Sequence, residues 1–316
     1  MLTVGEFHVH WLRGGRFRLA GGAVFGPVPK PLWSRRYPCD EHNAIPMQAF
    51  PLLVVTPAHR ILIDTGLGNK LTDKQRRNFR VEEDWAGEEH VADLGLGTED
   101  SDFVVLTHMD WDHASGGTKA AAPGPAGQAD SGGAGSCRGP AHADGGDSLV
   151  GAAVVPTFPR ARYVVQKDEW EAALNPNSRT KHGYWRENWA PLLDAGLVDV
   201  VDGDVELVSG VRLHKTGGHT HGHQIVRIES GGETLLHMAD LLPTHAHMNP
   251  LWVMGYDNFP LTSIEEKERW LAKARENRWW LSFYHDPFVL AAKVDAEGRL
   301  HDVVEGVLGW PPRAAE

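Results

Sequence analysis

Between Leu106 and Ala114 the chain reads Thr-His-Met-Asp-Trp-Asp-His, which places four potential metal ligands within six positions. The apolar run Asp102-Phe-Val-Val-Leu106 just before it has the signature of a short buried strand. The motif is therefore expected in a loop at the carboxyl end of a strand, where α/β sheets commonly place ligands. His108, Asp110, Asp112 and His113 supply imidazole nitrogen and carboxylate oxygen, donors suited to zinc, iron or manganese. The competing reading is a polar surface loop. The density of His and Asp argues against it, as does the following Ala-Ser-Gly-Gly, which suits close backbone packing.

Three further segments repeat this placement. Thr216-Gly-Gly-His219-Thr-His-Gly-His223 follows a strand pattern over 211–215, Leu236-His-Met-Ala-Asp240 ends a second, and Phe283-Tyr-His285-Asp286 ends a third. One strand-end His is usually structural. Four strand ends that each deliver His or Asp form a constellation.

Composition narrows the partners. A formal net charge of −11 disfavours a nucleic-acid groove, which needs clustered Lys and Arg. A small molecule is the expected partner. Cys39 and Cys137 fit no metal or redox spacing, and their scarcity suits a reducing compartment. The first residues lack a basic, then long apolar, leader pattern. No apolar stretch approaches the roughly 18 residues needed to span a bilayer. A cytoplasmic protein without membrane contact is the expectation.

Along the 316 residues, strand and helix patterns alternate without an internal repeat, as in an α/β fold read as a single domain over 1–316. Residues 7–12 and 16–19 flank Arg13-Gly-Gly and predict a hairpin; 52–55 and 60–63 predict another. Phe25 to Trp33 is too Pro-rich for regular structure yet apolar enough to pack on something. Ser263-Ile-Glu-Glu266 reads as a capping box opening the helix of Trp270 and Leu271. Residues 116–155, rich in Gly, Ala, Pro and Ser, read as a flexible low-complexity insertion, with a lid over the site one possible role.

The four ligand segments resemble the metallo-β-lactamase-fold hydrolases, with their His-x-His-x-Asp-His, Gly-His, Asp and His signature. Residues 21–33, Ile63-Asp-Thr-Gly66, 74–79, 184–189 and 237–252 are similar to YtnP-type quorum-quenching lactonases. The resemblance implies an αβ/βα sandwich, two mixed sheets flanked by helices, with two divalent metal ions at one edge, zinc being the usual ion. It assigns His108, Asp110, His219 and Asp240 to one ion, and Asp112, His113, Asp240 and His285 to the other. Asp64 and His223 are implied as supports that hydrogen-bond the ligands. The implied reaction is ring-opening of an N-acyl-homoserine lactone by a metal-bound hydroxide, with Asp112 passing the proton to the leaving alkoxide.

Alternatives are an organophosphate or aryl-ester hydrolase on the same fold, or a weakly catalytic binding or regulatory homologue. Asp110 departs from the family pattern, which has His there. A carboxylate at that position is expected to harden the site toward manganese or iron. Some related lactonases use a Tyr soon after the bridging Asp to polarise the carbonyl; this chain has Leu-Leu-Pro-Thr-His there, with His245 the candidate for that role and structural hydrogen bonding the alternative. Trp111, Phe25, Trp33 and Trp252 are the expected walls of a substrate pocket. A homodimer is expected only by analogy with related lactonases.

Overall fold

The computed structural model describes residues 1–121 and 153–308. Most of the low-complexity segment and Cys137 lie outside the described residues. The two ends of that segment are strands: Thr118–Ala120 pairs antiparallel with Val154–Pro156, which corrects the expectation of irregular chain from 116 to 155.

Two seven-stranded sheets face each other. One, in spatial order, is Leu2–Val4, Phe7–Trp11, Leu52–Val55, Arg60–Ile63, Phe103–Val105, Arg162–Gln166 and Val198–Val201. The other runs in sequence order from Val205–Val208 to Leu300–Glu305. Strand alternation sorts the side chains into layers. Leu52, Val54, Ile61 and Ile63 point between the sheets and meet Leu213, Val226 and Ile228 from the other side. Leu53 and Leu62 point outward beneath Val91, Ala173 and Leu192. On the opposite outer face Ile225, Leu236 and Leu281 pack against Trp270, Leu271 and Ala274 of the helix Pro260–Asn277. The result is an αβ/βα sandwich.

Two local expectations fail for tertiary reasons. Phe7–Trp11 and Arg16–Ala20 do not form a hairpin: the first pairs with Leu2–Val4 and Leu52–Val55, the second with Ala44–Gln48. The intervening Gly14 makes a close approach instead, since a Cβ there would lie 2.6 Å from the Ala49 carbonyl oxygen. Ser263 is not a cap either. Its helix begins earlier, with Pro260 in the first turn, and buried Ser263 packs against Gly218 in the loop that carries His219. The true capping box is Thr72 with Gln75, which opens Asp73–Asn78. Within the Pro-rich segment, Lys30–Trp33 forms a short helix with Pro31 in its first turn, a position that needs no N–H donor.

The helix Pro260–Asn277 also pins the loop before it. Buried Lys267 donates to the Trp252 carbonyl at 2.8 Å, and burial lowers its amine to about 8. Lys70, buried under the Ser115 and Thr118 carbonyls, is lowered to about 7. Unfolding returns both amines to the ordinary 10.5. Above these folded-state values the unfolded chain binds the extra protons, so the contribution of these two amines to stability rises with pH until about 10.5. The buried His113, His219 and His245, held above the ordinary imidazole value, act in the opposite sense, so the amine contribution is read as a difference. The urea midpoint of chelator-treated wild type minus that of Lys267→Met is expected to increase from about pH 7 to about pH 9. A difference that stays flat or falls would contradict this.

Candidate metal centre

The ligand-bearing segments leave the sheets at one edge. Phe103–Val105 runs parallel to both neighbours, Arg60–Ile63 and Arg162–Gln166. In the other sheet Glu233–His237 and Trp280–Ser282 are parallel, and Val211–Lys215 shares their direction across antiparallel Gln224–Ser230. Their carboxyl ends therefore deliver His108 to His113, His219, Asp240 and His285 to one place. Two residues there hold left-handed backbone. Asp64 has φ +56° and Ala239 φ +43°, the latter uncommon for a residue with a Cβ. Ala239 turns the chain so that Asp240 faces the centre.

The side chains form two groups joined by one carboxylate. Asp110 Oδ2 lies 3.7 Å from His108 Nε2 and 3.4 Å from His219 Nε2. Asp240 Oδ2 approaches the same nitrogens at 3.9 and 3.4 Å. Its other oxygen, Oδ1, lies 3.2 Å from both His113 Nε2 and His285 Nε2. Asp112 Oδ2 completes the second group, 3.5 Å from His285 Nε2. Each of the sets His108–Asp110–His219 and Asp112–His113–His285 brings its ligand atoms within 4.8 Å of one another.

The outer nitrogens decide which atoms are free to bind. His113 Nδ1 lies 2.9 Å from Asp64 Oδ2, His219 Nδ1 2.9 Å from Asp257 Oδ1, and His285 Nδ1 3.1 Å from the Gln48 carbonyl. His108 Nδ1 lies 3.1 Å from Thr107 Oγ1, whose proton is given to Asp64 Oδ2. Every Nδ1 thus faces an acceptor and carries the proton, which leaves every Nε2 with its lone pair turned inward. His108 Nε2, His219 Nε2 and Asp240 Oδ1 are buried without a hydrogen-bond partner. His113 Nε2 and His285 Nε2 face each other at 3.1 Å, lone pair to lone pair. Such an arrangement is repulsive unless cations occupy it, so the residues fit a pair of metal ions.

The charges agree. Burial opposes ionisation of Asp240, but the coulombic pull of His285 and His113 outweighs it and holds the carboxyl well below its usual range. In turn, and against burial, the surrounding carboxylates push His113 and His219 well above the ordinary imidazole value, so the anionic centre draws positive charge onto these rings, charge that bound cations would supply in place of protons. Burial, reinforced by His113 and His219, pushes His108 well below the ordinary imidazole value, which keeps it neutral. Burial raises Asp112.

The centre opens into a cavity of about 390 Å³. Leu19, Val24, Met47, Phe79, Trp111 and Met254 make an apolar side; Thr180, His182, Tyr256 and Asn258 make a polar one. Trp111 lies where it was expected, stacked on Phe79 with ring centroids 4.0 Å apart. The other expected walls are corrected. Phe25 and Trp33 are buried in the core, stacked on each other at 5.1 Å. Trp252 packs edge-on against Phe25, and none of the three lines the cavity. His245 also stays outside the lining, its ring held by Asp286. His223 bonds Thr216 Oγ1 at 2.7 Å and lies tilted against His108, behind the first group. Asp257 and Gln48 were not singled out in the sequence. An Asp in a Gly-Tyr-Asp-Asn loop and a strand-end carbonyl carry no local signal for this role.

Comparison with known proteins places the fold. The family model described as the Metallo-beta-lactamase superfamily matches residues 44–129 and 160–285. A probable metal-dependent hydrolase from Staphylococcus aureus is 36% identical, with TM-score 0.83, covering 96% of this chain and 98% of that one. AidC, a dizinc quorum-quenching lactonase solved with a product, has TM-score 0.67 at 19% identity, over 96% of each chain. Among curated proteins, the N-acyl homoserine lactonase AiiA of Bacillus thuringiensis subsp. kurstaki is 36% identical over 81 residues. That match spans 25% of this chain and 29% of the relative. A Bacillus sp. lactonase is 30% identical over 121 residues, 37% of this chain and 45% of the relative. The chain therefore spans less than half the length of these curated relatives. Among the described residues no helix is long and apolar enough to cross a membrane.

Proposed function

The chain belongs to the metallo-β-lactamase superfamily, and from that premise we propose that it is a metal-dependent hydrolase that opens N-acyl-homoserine lactones. The observation that carries this reading is the pair of His/Asp groups joined by Asp240 at the floor of a mainly apolar cavity with a polar side. His108, Asp110, His219 and Asp240 would hold one ion, and Asp112, His113, His285 and Asp240 the other. Ions held there supply Lewis acidity and activate water at neutral pH. The chain's own residues do the rest. Asp112, raised by burial and placed between the centre and the cavity, takes up the proton and returns it to the leaving alkoxide. Tyr284 steadies that loop by donating to the Asp112 carbonyl at 2.9 Å. Arg179 shapes the polar wall rather than meeting substrate, because its guanidinium already bonds Asn258, Gly255 and Asp257.

The apolar side suits an acyl chain. Phe79→Ala is expected to raise KM for long-chain lactones about tenfold or more, with kcat little changed, because burial of an aromatic ring is worth about 1.5–3 kcal/mol. Equal KM for short and long chains in both proteins would remove Phe79 from the acyl site.

The reading as a whole is tested by metal analysis with a panel of lactones, organophosphates and p-nitrophenyl esters, with and without chelator. Lactone turnover lost on chelation supports it. Preference for aryl esters or organophosphates, or bound metal without turnover, overturns it.

A further inference from the structure

Glu169 belongs to none of the ligand motifs, yet it is fully buried beside the centre, in the helix Lys167–Leu174. Its carboxylate accepts four hydrogen bonds. Oε1 takes the Met109 N–H at 2.9 Å and the Tyr184 hydroxyl at 2.9 Å. Oε2 takes the Thr220 hydroxyl at 2.6 Å and the Gly222 N–H at 3.2 Å. No Lys or Arg is among these partners, so hydrogen bonds alone offset the desolvation of this group.

The placement of the donors is selective. Met109 stands between His108 and Asp110, and Thr220 follows His219. Tyr184 follows Gly183, the seat of the Asp110 carboxylate: a Cβ there would lie 2.3 Å from Asp110 Oδ1. Gly222 is fixed as closely, since its Cβ would meet the Glu169 backbone nitrogen at 2.2 Å. One carboxylate thus ties together the two loops that deliver His108, Asp110 and His219, and the segment that seats the Asp110 carboxylate. Asp112, His113 and His285 receive none of these bonds; Asp64, Tyr284 and Gln48 hold them instead.

We propose that Glu169 is a positioning residue for one half of the centre, setting the metal affinity of His108–Asp110–His219 and leaving that of Asp112–His113–His285 unchanged. This rests on the metal-centre reading above. A glutamine at 169 has one oxygen to offer, and its NH₂ would face a donor that cannot turn, the N–H of either Met109 or Gly222. The two ligand loops would then lose their common anchor.

The test is titration of the metal-free full chain with Zn²⁺ or Co²⁺, followed by calorimetry or cobalt absorbance. Wild type is expected to take up two ions. Glu169→Gln should hold one ion at wild-type affinity and the other about 10–100-fold more weakly, the usual scale for losing a group that orients a ligand. In a His285→Ala background Glu169→Gln should weaken the remaining ion; in a His219→Ala background it should change nothing. If Glu169→Gln does not fold, Tyr184→Phe, which removes one bond of the four, should weaken the same ion by a smaller factor. Two ions bound at unchanged affinity in the variant that folds, or both weakened equally, overturns the proposal. No ion bound by wild type would instead sink the metal-centre reading itself.

Discussion

Asp240→Ala is expected to strip the centre of metal and to lower kcat/KM by a factor on the order of a thousand or more, the scale of losing several kcal/mol of Lewis-acid stabilisation. The reason is geometric. Each carboxylate oxygen of Asp240 faces a different pair of imidazole nitrogens, so one side chain serves both groups. Alanine removes an anion from each at once and leaves the inward lone pairs of four His with less charge to hold a cation. Metal content should fall from two ions per chain to fewer than one, while far-ultraviolet circular dichroism stays unchanged. A variant that keeps two ions and activity within about tenfold of wild type would show that Asp240 does not bridge.

Asp110→His is expected to move metal preference toward zinc by at least about 10–100-fold, the scale that changes around a metal's ligands produce. In this chain the two groups have matching donors: two imidazoles, one carboxylate of their own, and one oxygen of Asp240. Asp110 creates that match, and its extra oxygen favours manganese or iron. It also leaves less positive charge to acidify water. The substitution should therefore shift the acidic limb of the pH–rate profile to lower pH. The measurements are metal content after growth in equimolar mixed metals and kcat/KM against pH. Unchanged metal identity, with an unmoved profile, would end the hardening idea.

The centre was more legible in the sequence than the cavity above it. A strand followed by a ligand-bearing loop is a local event, so the residue types at 108–113, 219, 240 and 285 are visible without any fold. The layer pattern is legible for the same reason, because alternation within Leu52–Val55 and Arg60–Ile63 already sorts side chains to two faces. The walls were not legible. Phe25, Trp33, Phe79 and Trp111 are all aromatic, and burial in a core or beside a cavity makes the same demand on each. Only the stacking of Phe79 on Trp111 from a distant part of the chain separates the two outcomes. Gly14 looked like a hairpin turn because its tight approach to Ala49 depends on another strand pair.

What the sequence determined by itself is the chemistry carried by Thr107-His-Met-Asp-Trp-Asp-His113 and its position at a strand end. The fold alone decided how that chemistry is aimed. Asp64, Asp257, Gln48 and Thr107 fix the proton on the outer nitrogen of each His, and Glu169 ties the loops of the first group. Apart from Thr107, which neighbours His108, these partners are remote in sequence from the ligands they hold. A hydrogen bond is set by distance in space, and local sequence does not encode that.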